Sequence, residues 1–405
     1  MNGLIDAASA RSFEDLRTWI DAHDRPFVDT PRFADFFAGL TPIESSRVGA
    51  LWDAVVDHDD GSPRVGAEAL VRGLPDTDDE DGALTLRTFA EALMARGSET
   101  DAGGGNLYLA ARPPGAQLRA FELLRLRTPL IPFAYAAANR AILDAVGKTP
   151  QPVTLVDVGI GRGGQVRALL RNPQSRQRIS KLHVIGIEPD SSSATGAGAL
   201  QTAEATVLET ARDVGIPTTF TPLSKRAEEI TPDDFASAQG QVIGNAAFAL
   251  HHVDYAGAGG LDRSAVLRTL RKGGVETMVL VEPDSNHFID DLAVRFLFAY
   301  RHYRAVAMSL RAMLMPADAQ LVWTEFFAPE VHNVIAHENS ARTERHEPSA
   351  SWARRLSGAG FAVEDLGQLV TRAGTPPGFS LDERPDAFSL CFQGVALLSV
   401  LRGRG

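Results

Sequence analysis

The chain has 405 residues, more than one ordinary domain needs, so two units or one elaborated domain are expected. Its net charge of −11 argues against nucleic acid or an anionic membrane as partner, while 44% apolar and 22% charged residues are ordinary for a globular protein in water. A single cysteine, Cys391, allows no internal disulfide and fits a reducing cytoplasm, and no apolar run approaches membrane length.

The chain opens helical. Ser12 to Ile20 and Val48 to Val56 carry apolar residues at i, i+3, i+4. Asp76 to Gly82 is too acidic and too turn-rich to pack, Leu84 to Ala95 reads as a short helix, and Gly97 to Gly105 breaks the chain. A helical unit over 1–105 and a second domain over 106–405 are therefore expected. Leu118 to Val146 is helical again, interrupted by Pro129 and Pro132. Its apolar stripe includes Phe133, and Asn139 lies just ahead of the first strand, which makes both pocket candidates.

The richest stretch follows. Thr154 to Val158 is β-branched and apolar except for Asp157, the pattern of a parallel strand covered on both faces. Gly159, Gly161, Gly163 and Gly164 then form a turn into a helix, a place where backbone N–H groups point outward toward a ligand. The spacing satisfies the dinucleotide pattern G-x-G-x-x-G, a weak signal alone. Asp157 separates two cofactor classes. A carboxylate at the strand's end would repel a pyrophosphate, and would attract the ammonium and sulfonium of S-adenosylmethionine (SAM).

Strands and helices alternate from there, as in an α/β fold. Leu182 to Ile187 is the second strand and ends at Glu188, where an acid holds ribose hydroxyls. Thr218 to Thr221 and Gln241 to Asn245 are the third and fourth, and Glu276 to Val281 the fifth, running into Glu282, Asn286 and His287. Phe388 to Phe392 and Val395 to Val400 flank Gln393-Gly394, a hairpin that closes the sheet with an antiparallel strand. Such a last strand favours SAM over NAD(P). His252-x-Asp254 lacks a third ligand at triad spacing, so no metal is expected. Phe288 to Leu314 reads as a packed helix that could overhang the pocket, and Glu338, Arg342, Arg345, His346 and Glu347 as a surface ion-pair cluster.

Two resemblances add to this reading. Phe248 to Asp254, Val266 to Gly274 and Val279 to Pro283 are similar to the second half of class I SAM-dependent methyltransferases. More particularly, Ile131 to Leu143, Val279 to Leu310, Val331 to Glu338, Arg342 to Pro348 and Trp352 to Phe361 resemble, in order, the motifs of GRAS-domain proteins. That resemblance covers about Phe121 to Leu401. Plant members are transcriptional regulators with degraded cofactor motifs, whereas bacterial relatives keep the glycine loop and are thought to methylate small molecules.

The expected protein is thus an α/β, Rossmann-like SAM-dependent methyltransferase of the bacterial GRAS type. It would act in the cytoplasm on a small-molecule acceptor, with no nucleic acid or membrane partner and with room for a homodimer. Asp157, Gly159, Gly161, Gly163, Glu188, Asn245 and Asn139 would hold SAM, and Phe133, Glu282 and Asn286 would line the acceptor side. His287, favoured over His251 and His252, would be the general base. A non-catalytic GRAS-like regulator that binds a ligand or protein is the alternative, and an NAD(P)-dependent oxidoreductase the remaining one.

Overall fold

The computed structural model describes residues 39–56, 63–74, 82–96, 114–189, 198–253, 262–337, 341–366 and 375–405. The helix expected over 12–20, the acidic run up to Asp81, the glycine break over 97–105, and Asp254 and Glu338 lie outside them. In chain order come α1 (Pro42–Val56), α2 (Pro63–Gly73), α3 (Ala83–Ala95), α4 (Pro114–Arg127) and α5 (Leu130–Val146). The sheet region holds β1 (Gln151–Val158), α6 (Gly164–Arg171), β2 (Ile179–Ile187), α7 (Ala199–Val214), β3 (Thr218–Leu223), β4 (Gln241–Ala247), α8 (Arg263–Lys272) and β5 (Thr277–Pro283). Then follow α9 (Leu292–Met313), α10 (Pro316–Val322), α11 (Ala328–Ala336), α12 (Ser349–Gly358) and the strands β6 (Ala362–Val363), β7 (Phe379–Arg384), β8 (Ala387–Phe392) and β9 (Val395–Arg404).

Residue contacts divide the chain into two compact units, each assembled from separate stretches. Unit 1 takes residues 1–107, 285–348 and 392–397, and unit 2 takes 108–284, 349–391 and 398–405. Residues 285–348 are thus grouped with the N-terminal residues rather than with the stretch on either side of them.

Unit 2 carries the sheet, in the order β3-β2-β1-β4-β5-β9-β8-β7. The first five strands are parallel, and β9 pairs antiparallel with β5, Val281 opposite Val400. The β8–β9 turn is made by Gln393 (φ 47°) and Gly394 (φ 77°), left-handed at both positions as a two-residue hairpin requires. Strand β7, beyond the hairpin, was not expected from the sequence: Phe379-Ser380-Leu381-Asp382-Glu383-Arg384 is polar and largely exposed at the edge. Val156, Ile185, Leu280 and Leu401 from the sheet bury against Leu267, Trp352 and Leu356 from α8 and α12. This covering helix layer explains why β1 and β5 are apolar without alternation.

Unit 1 is helical. Helix α3 packs on α2 and α11, and α9 on α1, α3 and α11. Phe89, Phe296, Tyr300 and Tyr303 form its aromatic centre, with Phe89 edge-on to Phe296 at 5.5 Å and to Tyr300 at 5.3 Å. Among the described residues no helix is long and apolar enough to cross a membrane.

Candidate functional site

The site is built at the carboxyl ends of β1, β2, β4 and β5. Strand pairing puts Asp157 opposite Gly186 on one side and Asn245 on the other. After Val158 the chain turns through Gly159 (φ 75°), Gly161 (φ 53°) and Gly163 (φ 76°), and the Gly159 and Ile160 N–H groups donate to the Ile187 carbonyl. The glycines serve different ends. A Cβ on Gly159 would lie 2.6 Å from the Ala249 methyl, and one on Gly163 would press on the Ala203 backbone at 3.2 Å. A Cβ on Gly161 would meet nothing within 4 Å. The first and third glycines are needed by the chain itself, and Gly161 alone of the three faces open space.

Two acids and three amides converge there. The Gly161 N–H donates to Glu188 Oε2 at 2.9 Å, which ties the second strand's tip to the glycine turn. Asn245 Nδ2 donates to Asp157 Oδ1 at 2.6 Å. Behind them Gln165 Nε2 donates to Asn245 Oδ1 at 3.0 Å, and Asn139 Nδ2 donates to the Gln165 carbonyl at 3.2 Å. The chain Asp157–Asn245–Gln165–Asn139 is buried throughout. Burial pushes the Asp157 carboxyl up to about 7, against the pull of the Asn245 amide, and Glu188 adds to the rise. Glu188 is itself raised by burial, opposed by the Gly161 N–H and by His252.

Glu282 closes the far side. It accepts the Leu250 N–H at 2.9 Å and faces His251 Nδ1 at 2.6 Å, and burial raises it to about 7. Arg263 donates to the His251 carbonyl. His251 is buried, His252 half-buried, and their rings sit 3.8 Å apart. Phe248, just past β4, adopts a left-handed φ of 57°. For so bulky a residue that costs about 1–3 kcal/mol, a strain that concentrates at ligand-binding positions. Phe133 on α5 stacks on Phe388 at 5.6 Å.

Of the residues singled out in the sequence, Asp157, Gly159, Gly161, Gly163, Glu188, Asn245, Asn139, Glu282, His251 and His252 therefore lie in unit 2 around these strand ends. Asn286 and His287 belong to unit 1. The chain leaves unit 2 after Asp284, and His287 is fully buried inside unit 1. Gln165 and Tyr135 were missed. A glutamine in a helix's first turn reads as a cap, yet Gln165 is the hub of the amide chain. Tyr135, one turn ahead of Asn139, puts its hydroxyl against Gly164, and burial, then Asp157, pushes it up to about 12. The expected surface cluster is corrected as well: Arg342, Arg345, His346 and Glu347 are all buried, as is Glu344 among them.

A family model, the GRAS domain family, matches residues 86–401. The chain belongs to the GRAS domain family. It is 29% identical over 296 residues to Scarecrow-like protein 1 of Arabidopsis thaliana, covering 70% of this chain and 49% of that protein. It is 28% identical over 302 residues to Scarecrow-like transcription factor PAT1 of the same plant, covering 71% of this chain and 61% of that protein. The chain thus spans about half of the first of these relatives. The crystal structure of SCL7 from Oryza sativa matches with a TM-score of 0.72 at 22% identity, over 88% of this chain and 99% of that one, which shows the shared fold.

These findings overturn the methyltransferase reading. Of the two relatives that match across most of this chain, one is named a transcription factor and neither is named an enzyme. The expectations of an enzyme, of a small-molecule methyl acceptor and of no nucleic acid partner fall with it, and the oxidoreductase reading likewise. Net charge misled because it sums the whole chain. Residues 118–187 hold eleven Lys and Arg against three acids, a strongly basic stretch inside an acidic protein.

Proposed function

We infer that this chain is a regulator of the GRAS type, of the bacterial branch that keeps the glycine loop. It binds a nucleoside ligand as an effector and a macromolecular partner, and turns no substrate over. The regulator half of this reading is supported by the names of its relatives. The ligand half rests on Gly161, which is left-handed, open on its Cβ side and bonded through its N–H to an acid that keeps a second oxygen for ribose hydroxyls. The strained Phe248 beside it adds support. SAM is the ligand the chemistry favours, because Asp157 in its ionised form repels a pyrophosphate and attracts a cationic methionine portion, whose charge would in turn draw the proton off a carboxyl raised to about 7. His251, once a candidate base, is engaged with Glu282 through Nδ1 and is buried, which suits a positioning role better than proton transfer with a substrate.

A second observation supports a polyanionic partner. At the opposite ends of β2 and β3, Arg176, Arg212, Ser180 and one acid, Asp213, border a shallow groove of about 440 Å³, with Lys181 exposed next in the chain to Ser180. Affinity for duplex DNA that falls steeply with salt would support this half.

Calorimetry with SAM, S-adenosylhomocysteine and NAD tests the ligand. SAM should bind tighter than about 100 μM, or about −5.5 kcal/mol. Glu188→Ala should weaken it by about 1.5–3 kcal/mol. Binding of NAD alone, or of none of the three, overturns the ligand half.

A further inference from the structure

Unit 1 brings three histidines together from separate stretches of chain. His287 lies in the irregular run between β5 and α9, His302 on α9, and His346 in the irregular run after α11. The His287 ring packs between the Tyr303 ring at 5.3 Å and the His346 ring at 4.7 Å, and His302 stands edge-on at 5.7 Å. It is fully buried, and neither ring nitrogen has a hydrogen-bond partner among the described residues.

The backbone of the same residue joins the two runs. The His287 N–H donates to the His346 carbonyl at 2.9 Å, and Arg342 Nη1 donates to the His287 carbonyl at 2.6 Å. Arg342 Nη2 also reaches Asp290 Oδ1 at 3.1 Å. From α9, Arg295 donates to the carbonyls of Ile289, Asp290 and Val334 at 2.8, 2.7 and 2.9 Å. Two buried guanidiniums thus hold the run by charge-assisted bonds to backbone oxygens.

The charged and titratable groups facing His287 are therefore Arg295, His302 and Tyr303 from α9, and Arg342 and His346 from the other run. Glu344 lies 3.8 Å from His346, and Asp290, on the run of His287 itself, is engaged by Arg342. A proton on His287 would enter a dry space beside two guanidinium charges and find no acceptor for either N–H. Burial, then His346, His302, Arg342 and Arg295, hold its imidazole well below the ordinary range.

We propose that this cluster is an acid-sensitive clasp: His287 is neutral in the closed unit, and its protonation releases residues 285–290 and 341–348 from each other. The sign follows from linkage. A group whose folded pKa is depressed contributes stability above its unfolded value of about 6.5, and that stability is lost as pH falls below it. Each proton taken up on opening raises the opening constant about tenfold per pH unit.

Hydrogen exchange on the full chain between pH 7.5 and 5, corrected for intrinsic rates, reads the opening directly. Protection of 285–290 and 341–348 should fall about tenfold per unit below about 6.5. In His287→Phe, where a ring of similar size stacks on Tyr303 without titrating, it should stay flat. A variant slope equal to that of the wild type overturns the clasp. If the variant fails to fold, imidazole proton resonances of the wild type decide: His287 should stay neutral until the clasp opens. A reversible titration near 6.5 with protection unchanged overturns it too.

Discussion

Asp157 shows what a single buried group does to this fold. Its carboxyl titrates near 7, well above the ordinary aspartate value of about 3.8, so the folded chain holds a proton that the unfolded chain releases. A raised folded pKa means that the stability from this proton is fully present below about 4 and gone above about 7. Asp157→Asn keeps the shape and removes the titration. The unfolding free energy from chemical denaturation should then rise by about 2–4 kcal/mol at pH 8, with little change at pH 4. Loss of stability at both pH values would show that the carboxylate, not the carboxyl, is the stabilising form. The three glycines divide in a second test. Gly159→Ala combines left-handed strain with a clash on Ala249 and should cost about 2–4 kcal/mol, whereas Gly161→Ala should cost only about 1–2 kcal/mol while losing the ligand. Equal thermal destabilisation of the two would remove the distinction.

At the scale of elements, the β1–glycine turn–α6 segment was legible because it is local. A β-branched run, glycines at fixed offsets and a resumed 3.6-residue spacing each announce themselves within a few residues. The hairpin at Gln393-Gly394 was legible for the same reason. What the sequence hid is pairing at a distance. Arg342, Arg345, His346 and Glu347 read as a surface cluster because charged side chains are usually exposed, and the groups that hold Arg342 and His346 in place, His287 and Asp290, lie some 50 residues upstream. Glu44 on α1 is the same kind of case. It is 1% exposed and accepts Tyr300 Oη at 3.0 Å and Arg304 Nε and Nη2 at 2.5 and 2.9 Å, which fastens α1 to α9 across 256 and 260 positions of sequence. Glu44→Ala removes both carboxylate bonds from the largely buried Arg304 guanidinium. Chemical denaturation should show a loss of about 3–5 kcal/mol. A loss under 1 kcal/mol would mean that water replaces the carboxylate at no cost.

At the scale of the whole molecule, the two units respond to acid with opposite sign. In unit 2, Asp157 and Glu282 both have folded values near 7, so lowering the pH from about 7 toward 4.5 adds protons that the folded state prefers, and the strand-end network tightens. In unit 1, His287 resists its proton, so the same change weakens the packing around it. A global melting curve sums these opposed slopes and reads as nearly flat. Resolved by segment, the slopes separate. Hydrogen exchange from pH 7.5 to 5 should show protection rising across β1, β4 and β5 while it falls across 285–290 and 341–348. Asp157→Asn should weaken the first trend, leaving the share of Glu282, without touching the second, and His287→Phe should remove the second and leave the first: burial drives both shifts, but beyond it Asp157 responds to Asn245 and Glu188, and His287 to His346, His302 and two arginines. Parallel trends in both segments would show that one cooperative transition governs the chain, and that neither buried group acts within its own unit.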